Sequence, residues 1–242
     1  MAAGRIAILG ATSTVARALA ARYAREGRDL LLCGRDLSEV ESVAQDLALR
    51  YGVEVEACLL DPGAQDYPQV LWRLDGRPQL LGVVWAIGTM AAAAGAAAVD
   101  EIRDTTWVNF GAAAAAIEAL LPAIDPSGFI VLLSSVAGER GRARNYVYGA
   151  AKAALSVYGQ GLNHRLAGTG PRVTVVQLGV VDSQMTWGMQ GGPRGADPDR
   201  VARAVVRAVQ ARRARVHVPA VWAPIMLVLR ALPESVFNRL QI

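Results

Sequence analysis

Tyr148-Gly-Ala-Ala-Lys152 sets a phenol and an ammonium four residues apart. On a helix the two side chains project from one face, about one turn from each other. An unperturbed phenol, with a pKa near ~10, is a poor proton carrier at neutral pH. A neighbouring ammonium favours the phenolate and brings the group closer to working range. Residue frequencies alone place such a pair in roughly one chain of three of this length. The pattern gains weight from Ser135, thirteen residues before the tyrosine, from Asn109 on an earlier helical stretch, and from a strand and glycine turn at Ile6–Gly10. Together they predict a hydride-transfer site on a nucleotide-binding sheet. Tyr148 would protonate a carbonyl oxygen, and Ser135 would donate a hydrogen bond to the same oxygen as charge develops there.

The nucleotide end is read from the residues just after each apolar run. After the first run, Gly10-Ala-Thr12-Ser13-Thr14-Val15-Ala16 should turn sharply into a helix whose N-terminus attracts a pyrophosphate, with three hydroxyls as added donors. A capped helix start without a ligand is the plain alternative. After the second run comes Cys33-Gly34-Arg35-Asp36. Enzymes that prefer NAD usually carry a carboxylate at this strand end; here Gly34 stands there and Arg35 follows, whose guanidinium suits a 2′-phosphate. NADP(H) is therefore expected over NAD(H), with a simple surface turn as the other reading of Arg35. Asp61, after the third run, is placed to accept from an adenine amino group or to open a turn before Pro62.

These residues need an α/β scaffold, and the rest of the chain reads as one. Apolar strand-like runs at Arg5–Leu9, Asp29–Cys33, Val53–Leu59, Leu80–Ala86, Phe129–Ser134, Arg172–Leu178 and Arg215–Val218 alternate with helical patterns. Those patterns cover Thr14–Glu26, Ser38–Tyr51, Gln65–Leu74, Glu101–Leu121, Asn145–Ala167 and Pro198–Arg212. Alternation of this kind predicts one doubly wound parallel sheet of about seven strands with helices on both faces. Asp36 or Ser38 caps the second helix, Gly52 ends it, and Ala91–Ala98 reads as a turn and helix start. In such a sheet ligands bind at the carboxyl ends of the strands, where every candidate above lies.

Composition narrows the classes. The 242 residues suit a single domain over 1–242, and 53% apolar residues provide a substantial core. The net charge of +4 comes from scattered arginines, and Lys152 is the only lysine. No basic face or reading element points to nucleic acid. Cys33 and Cys58 read as small apolar residues in a reducing compartment, and His164 and His217 lack ligand spacing, so no metal site is expected. The N-terminus does not read as a signal peptide, and no run reaches the ~20 apolar residues of a spanning helix. A cytoplasmic protein is expected, with contact at a membrane surface left open.

The Ser135, Tyr148 and Lys152 spacing, with the glycine turn, resembles the short-chain dehydrogenase/reductase family from Gly10 to about Ser183. The resemblance implies a tetrad of Asn109, Ser135, Tyr148 and Lys152. Lys152 would also anchor the nicotinamide ribose, and Asn109 would hold a water that links Lys152 to solvent. It places Gly179, Val181 and Ser183, within Leu178–Ser183, at the nicotinamide amide, and Ala86 and Gly88 beside the cofactor. The chain departs from the family pattern at Thr14 and Ala16, which replace two turn glycines. It departs again at Trp85-Ala86-Ile87-Gly88, which lacks two asparagines, and at Leu178, which replaces a proline. The family also implies a homodimer or homotetramer.

The substrate side is less defined. Arg140, Arg142 and Arg144 alternate in the loop before Tyr148, which fits an anionic substrate, an exposed loop or a subunit contact. A lid is expected at about 184–200, where Met185-Thr-Trp187-Gly-Met189 gives an apolar inner face. The apolar segment 220–242 would cover the substrate, pack between subunits or rest on a membrane surface. With Tyr146–Lys152 and the arginine loop, it is also loosely similar to bacterial reductases of polyprenyl-phosphate-linked 2-keto sugars, such as decaprenylphosphoryl-keto-erythropentose reductase. A lipid-linked or otherwise apolar ketone is thus expected, with a 3-oxoacyl or other lipid ketone as an alternative. A non-catalytic NADP(H)-binding sensor or scaffold is the alternative of a different class.

Overall fold

The computed structural model describes residues 4–64, 80–90, 97–186 and 194–240. Seven strands pair in one all-parallel sheet: β1 (Arg5–Leu9), β2 (Leu30–Gly34), β3 (Val55–Leu59), β4 (Leu80–Trp85), β5 (Ile124–Ser135), β6 (Arg172–Leu178) and β7 (Arg215–Val218). Their order is β3-β2-β1-β4-β5-β6-β7, so the winding reverses between β1 and β4. Both faces are covered, and for that reason the strands read as unbroken apolar runs rather than alternating ones.

Side chains of successive strand residues go to opposite layers. Ile6, Ile8, Leu30, Leu32, Val131 and Val176 belong to one core, with helices α1 (Thr14–Arg25) and α2 (Leu37–Tyr51). Ala7, Leu9, Leu31, Ile130, Leu132 and Val175 belong to the other. The second layer contains α3, in which Val99–Thr106, Trp107–Gly111 and Ala112–Leu120 run end to end, and α4 (Tyr146–Arg165). The alanines between Gly111 and Ile117 let α3 lie close against the sheet, with Ala112, Ala113 and Ala116 fully buried. The expected single helix over 101–121 is interrupted by a π turn at Trp107–Gly111, where the Ala112 N–H donates to Trp107 O five residues back.

The first layer is completed by α5 (Pro198–Gln210), whose Val201, Ala202, Val205 and Val206 are all buried. Burying each valine contributes about 1.5–3 kcal/mol before entropy is counted. Asp197 caps this helix by accepting from the Arg200 N–H at 2.9 Å, and Pro198 occupies its first turn.

Other boundaries fall within two residues of expectation except at β5, which begins at Ile124 instead of Phe129, with a register shift across Asp125–Gly128. Asp36 caps α2 by accepting from the Glu39 N–H, while Ser38 donates to the Asp36 carboxylate. Gly52 closes α2 in the left-handed region at φ 65°. Cys33 and Cys58 are register partners across β2 and β3. The segment 220–240 forms two short helices, α6 (Trp222–Ala231) and α7 (Glu234–Phe237), and Pro224 is tolerated in the first turn of α6. Among the described residues no helix is long and apolar enough to cross a membrane. The helix expected at Gln65–Leu74 lies outside the described residues, as does most of Ala91–Ala98.

Candidate active site

The carboxyl ends of β1, β2, β4, β5 and β6 open onto one cleft of about 1860 Å³. Every residue assigned above to nucleotide contact lines it: Gly10, Thr12, Ser13, Thr14 and Val15 from the first turn; Arg35, Asp61, Ala86 and Gly88 from the next strand ends; Tyr148 and Lys152; and Gly179, Val181 and Ser183. Ser135 also lines it, and Asn109 does not.

Ser135 is the last residue of β5, and its Oγ accepts from the Ala137 N–H at 3.1 Å to start a short 3-10 turn at Val136–Gly138. That turn presses on α4. A Cβ on Gly149 would lie 2.7 Å from Ala137 O, and one on Gly138 would lie 2.6 Å from Ala153 N. The glycine inside Tyr148-Gly-Ala-Ala-Lys152 is therefore what lets the serine turn reach the helix. The close approach brings the Tyr148 hydroxyl near Ser135, whose own Oγ donates to Leu178 O at 3.4 Å.

Lys152 lies one turn further along α4, 4% exposed, with Nζ 5.8 Å from the centre of the Tyr148 ring and donating to Leu133 O at 3.1 Å. Its own carbonyl accepts from both Ser134 Oγ and Ser156 Oγ, and Gln177 Nε2 donates to Ser156. These three buried polar residues tie β5 and β6 to the lysine's turn, and nothing in the motif announced them.

Burial sets the charges. It pulls the Lys152 ammonium down to about 8, and it pushes the Tyr148 phenol up; the nearby Ser135 hydroxyl and the Arg142 guanidinium offset part of that rise. The expectation that Lys152 lowers the phenol is thus corrected. The relief comes from Ser135 and Arg142, because the amine is itself destabilised as a cation by the same dry surroundings.

Asn109 sits in the π turn, fully buried behind the cleft wall. Its Nδ2 donates to Thr89 O at 2.7 Å and Thr105 O at 2.9 Å, while Oδ1 accepts from the Thr89 N–H at 3.3 Å. The side chain therefore fixes the loop after β4. A Cβ on Gly88 in that loop would lie 3.0 Å from Asn109 Oδ1 and 3.2 Å from Lys152 Nζ, so the two flank one glycine.

At the other end Gly10 takes φ 90°, and a Cβ there would meet Ile87 N at 2.9 Å. Gly10 N–H and Ala11 N–H both donate to Cys33 O, which bends the chain into α1. Ser13 caps that helix, and no acidic residue occupies its first turn. Positive helix end, close-packed glycine turn and the cleft-lining residues Thr12 and Thr14 form a cradle that fits a pyrophosphate. Beside it a Cβ on Gly34 would lie 2.8 Å from Cγ2 of buried Val40, so a longer side chain at this strand end has no room.

The arginines divide. Arg142 and Arg144 line the cleft, but Arg140 turns away: its guanidinium lies 4.5 Å above the Phe237 ring and donates to Leu232 O at 3.3 Å. The part of the expected lid at Gln184–Thr186 forms a short turn, and Met185 and Thr186 face the cleft. Ala196 bridges to the chain after β6: its N–H donates to Val180 O and its carbonyl accepts from the Asp182 N–H. The rest of the expected apolar lid, including Trp187 and Met189, lies outside the described residues. Trp222, Leu229, Phe237 and Leu240 from the C-terminal segment complete the wall.

Comparison with known proteins gives the same outline. The family model for short chain dehydrogenases matches residues 5–192. An uncharacterised oxidoreductase of Streptomyces coelicolor is 32% identical, with 96% of this chain and 94% of the relative covered. An uncharacterised oxidoreductase of Mycobacterium tuberculosis is 42% identical over 113 residues, and there the chain spans only 45% of the relative's length. Among solved structures, a short-chain dehydrogenase from Sphingobium yanoikuyae in complex with NADPH superposes with a TM-score of 0.80 at 24% identity, covering 96% of this chain and 97% of that one. Actinorhodin polyketide ketoreductase with NADPH gives 0.78 at 20% identity, covering 89% and 95%. With the family model matched along most of its length and the sheet order, glycine turn and Tyr-Lys helix in place, this chain belongs to the short-chain dehydrogenase family.

Proposed function

We propose that this protein is an NADP(H)-dependent carbonyl reductase acting on an apolar ketone that carries an acidic group. The observation that supports it is the gathering of the Ser135 hydroxyl, Tyr148 phenol and Lys152 amine on a cleft that the N-terminus of α1 also lines. When bound, NADPH would supply the hydride to the carbonyl carbon. Tyr148 gives its proton to the carbonyl oxygen, and Ser135 donates a hydrogen bond to that oxygen as it gains charge. Lys152, which lines the cleft beside the Tyr148 ring, would hold the nicotinamide ribose. Asn109 shapes the loop that closes over Lys152.

Cofactor preference is argued from β2. A carboxylate at position 34 would collide with Val40, whereas Arg35 stands at the cleft rim for a 2′-phosphate. NADPH fluorescence and consumption with a panel of ketones, including 3-oxoacyl thioesters and lipid-linked keto sugars, test the activity. Arg35→Asp is expected to raise the KM for NADPH by roughly tenfold to a hundredfold, the loss of one charged hydrogen bond, and to improve NADH use. NADPH binding without turnover of any ketone would favour a sensor, the reading that Thr14 and the missing asparagines support.

The acidic group is argued from charge. The loop between Ser135 and Tyr148 places two guanidinium groups, Arg142 and Arg144, in the cleft lining, to which Lys152 also belongs. Burial and Arg144 both weaken the Arg142 cation, so an incoming anion there relieves two unfavourable contacts. The double variant Arg142→Gln, Arg144→Gln is expected to raise KM roughly tenfold for an acidic ketone and to leave a neutral one unchanged. Equal effects on both substrates would remove the acidic group from the assignment.

A further inference from the structure

Glu139 is the one acidic side chain among the described residues that is almost wholly buried and faces three basic groups. Its carboxylate is 4% exposed. Oε1 lies 2.6 Å from His217 Nε2 and 3.1 Å from Arg215 Nη2, both on β7, and Oε2 lies 3.7 Å from Arg230 Nη1 on α6. The residue itself ends the short turn that Ser135 begins, with its N–H donating to Val136 O at 3.1 Å. The next residue, Arg140, grips the Phe237 ring and Leu232 O. Two consecutive side chains leaving the serine turn thus hold β7, α6 and the approach to α7.

We propose that Glu139 is a positioning residue that fastens the C-terminal wall of the substrate cleft to the turn carrying Ser135. The wall has little apolar burial of its own: Met226 is the only buried residue of α6 and Phe237 the only one of α7. Yet its inner side must be placed accurately, because Trp222 packs against the backbone at Gly179 and Leu229 and Phe237 line the cleft. Fastening by charge explains how a lightly buried segment keeps a fixed distance from the reacting groups. A buried carboxylate with paired cations is strongly destabilising when one partner is removed, so the contact is selective for all its members.

The kinetic part of the test rests on the carbonyl-reductase reading, and the exchange part does not. Glu139→Gln keeps the shape and a hydrogen bond for His217 while removing the charge. It is expected to raise KM for the ketone about tenfold, with kcat and the KM for NADPH within about twofold. Amide hydrogen exchange should quicken across 222–237 and stay unchanged in β1, β4 and β5. Arg230→Met, a change on a half-exposed side chain, should give the same pattern at about a third of the size. Wild-type exchange at 222–237 in both variants, or quickening spread evenly over the sheet, overturns the proposal. If no ketone is turned over by the unaltered protein, the reductase reading fails and the exchange result alone decides this one.

Discussion

Tyr148→Phe is expected to lower kcat for ketone reduction by roughly a thousandfold, within the range that a positioned general acid contributes, while NADPH binding changes by no more than about twofold. The reason is geometric. The ring itself packs beside Lys152 and would remain, so only the oxygen between Ser135 and the cleft is lost. Burial holds the phenol above its ordinary value, so it is protonated at neutral pH, and the nearby Ser135 hydroxyl and Arg142 guanidinium, which offset part of that rise, favour release of the proton. Stopped-flow NADPH oxidation with saturating ketone, together with a fluorescence titration of NADPH, measures both quantities. Turnover at the unaltered rate would mean that another group delivers the proton, and Ser135 and Lys152 would be the next to replace. Loss of NADPH binding along with turnover would instead mean that the phenol shapes the cleft.

Much of this arrangement was legible because parallel strands covered on both faces leave a plain trace. Ile6–Leu9 and Leu30–Cys33 are unbroken apolar runs, and each is followed by the residues that line the cleft. The Tyr148–Lys152 spacing carries its meaning locally, since a helical turn alone sets the geometry. What escaped the sequence depends on distant partners or on small changes of helical pitch. Glu139 meets His217 across 78 positions, and nothing near either residue marks the pairing. The π turn at Trp107–Gly111 leaves the apolar pattern of α3 almost untouched, yet it sets where the Asn109 amide points.

The arginine loop shows the same limit. Three arginines at alternate positions look equivalent in one dimension, but Arg140 is claimed by Phe237 and Leu232 while Arg142 and Arg144 are left to the cleft. The sign of the Tyr148 shift was also out of reach, because proximity of a lysine says nothing about how dry its surroundings are. The C-terminal helices were hidden by Pro224, which reads as a breaker until it is placed in a first turn.

Lys152→Met is expected to stabilise the nucleotide-free protein at pH 7 by about 2 kcal/mol while abolishing turnover. Lys152 is the only lysine in the chain, so a guanidinium, which does not give up its proton, serves at every other basic position save the histidines. Burial lowers the folded-state value from 10.5 to about 8, which corresponds to about 3 kcal/mol of destabilisation whenever the amine is charged in both states. Loss of the hydrogen bond to Leu133 O returns about 1 kcal/mol of that. The sign comes from proton counting. Between pH 8 and 10.5 the folded form has released a proton that the unfolded chain still holds, so the stability of the unaltered protein climbs with pH through that window. The advantage of the variant should therefore be full at pH 7 and shrink steadily above pH 8. Denaturant unfolding of both proteins at pH 7, 9 and 10 measures it. A variant less stable than the parent at pH 7 would show that the amine is better satisfied than its single carbonyl contact indicates, and a difference independent of pH would show that packing, not charge, separates the two. The expected result makes the lysine a strained cation that the fold tolerates for the sake of the site, since a methionine there could neither donate to Leu133 O nor carry a proton beside the Tyr148 ring.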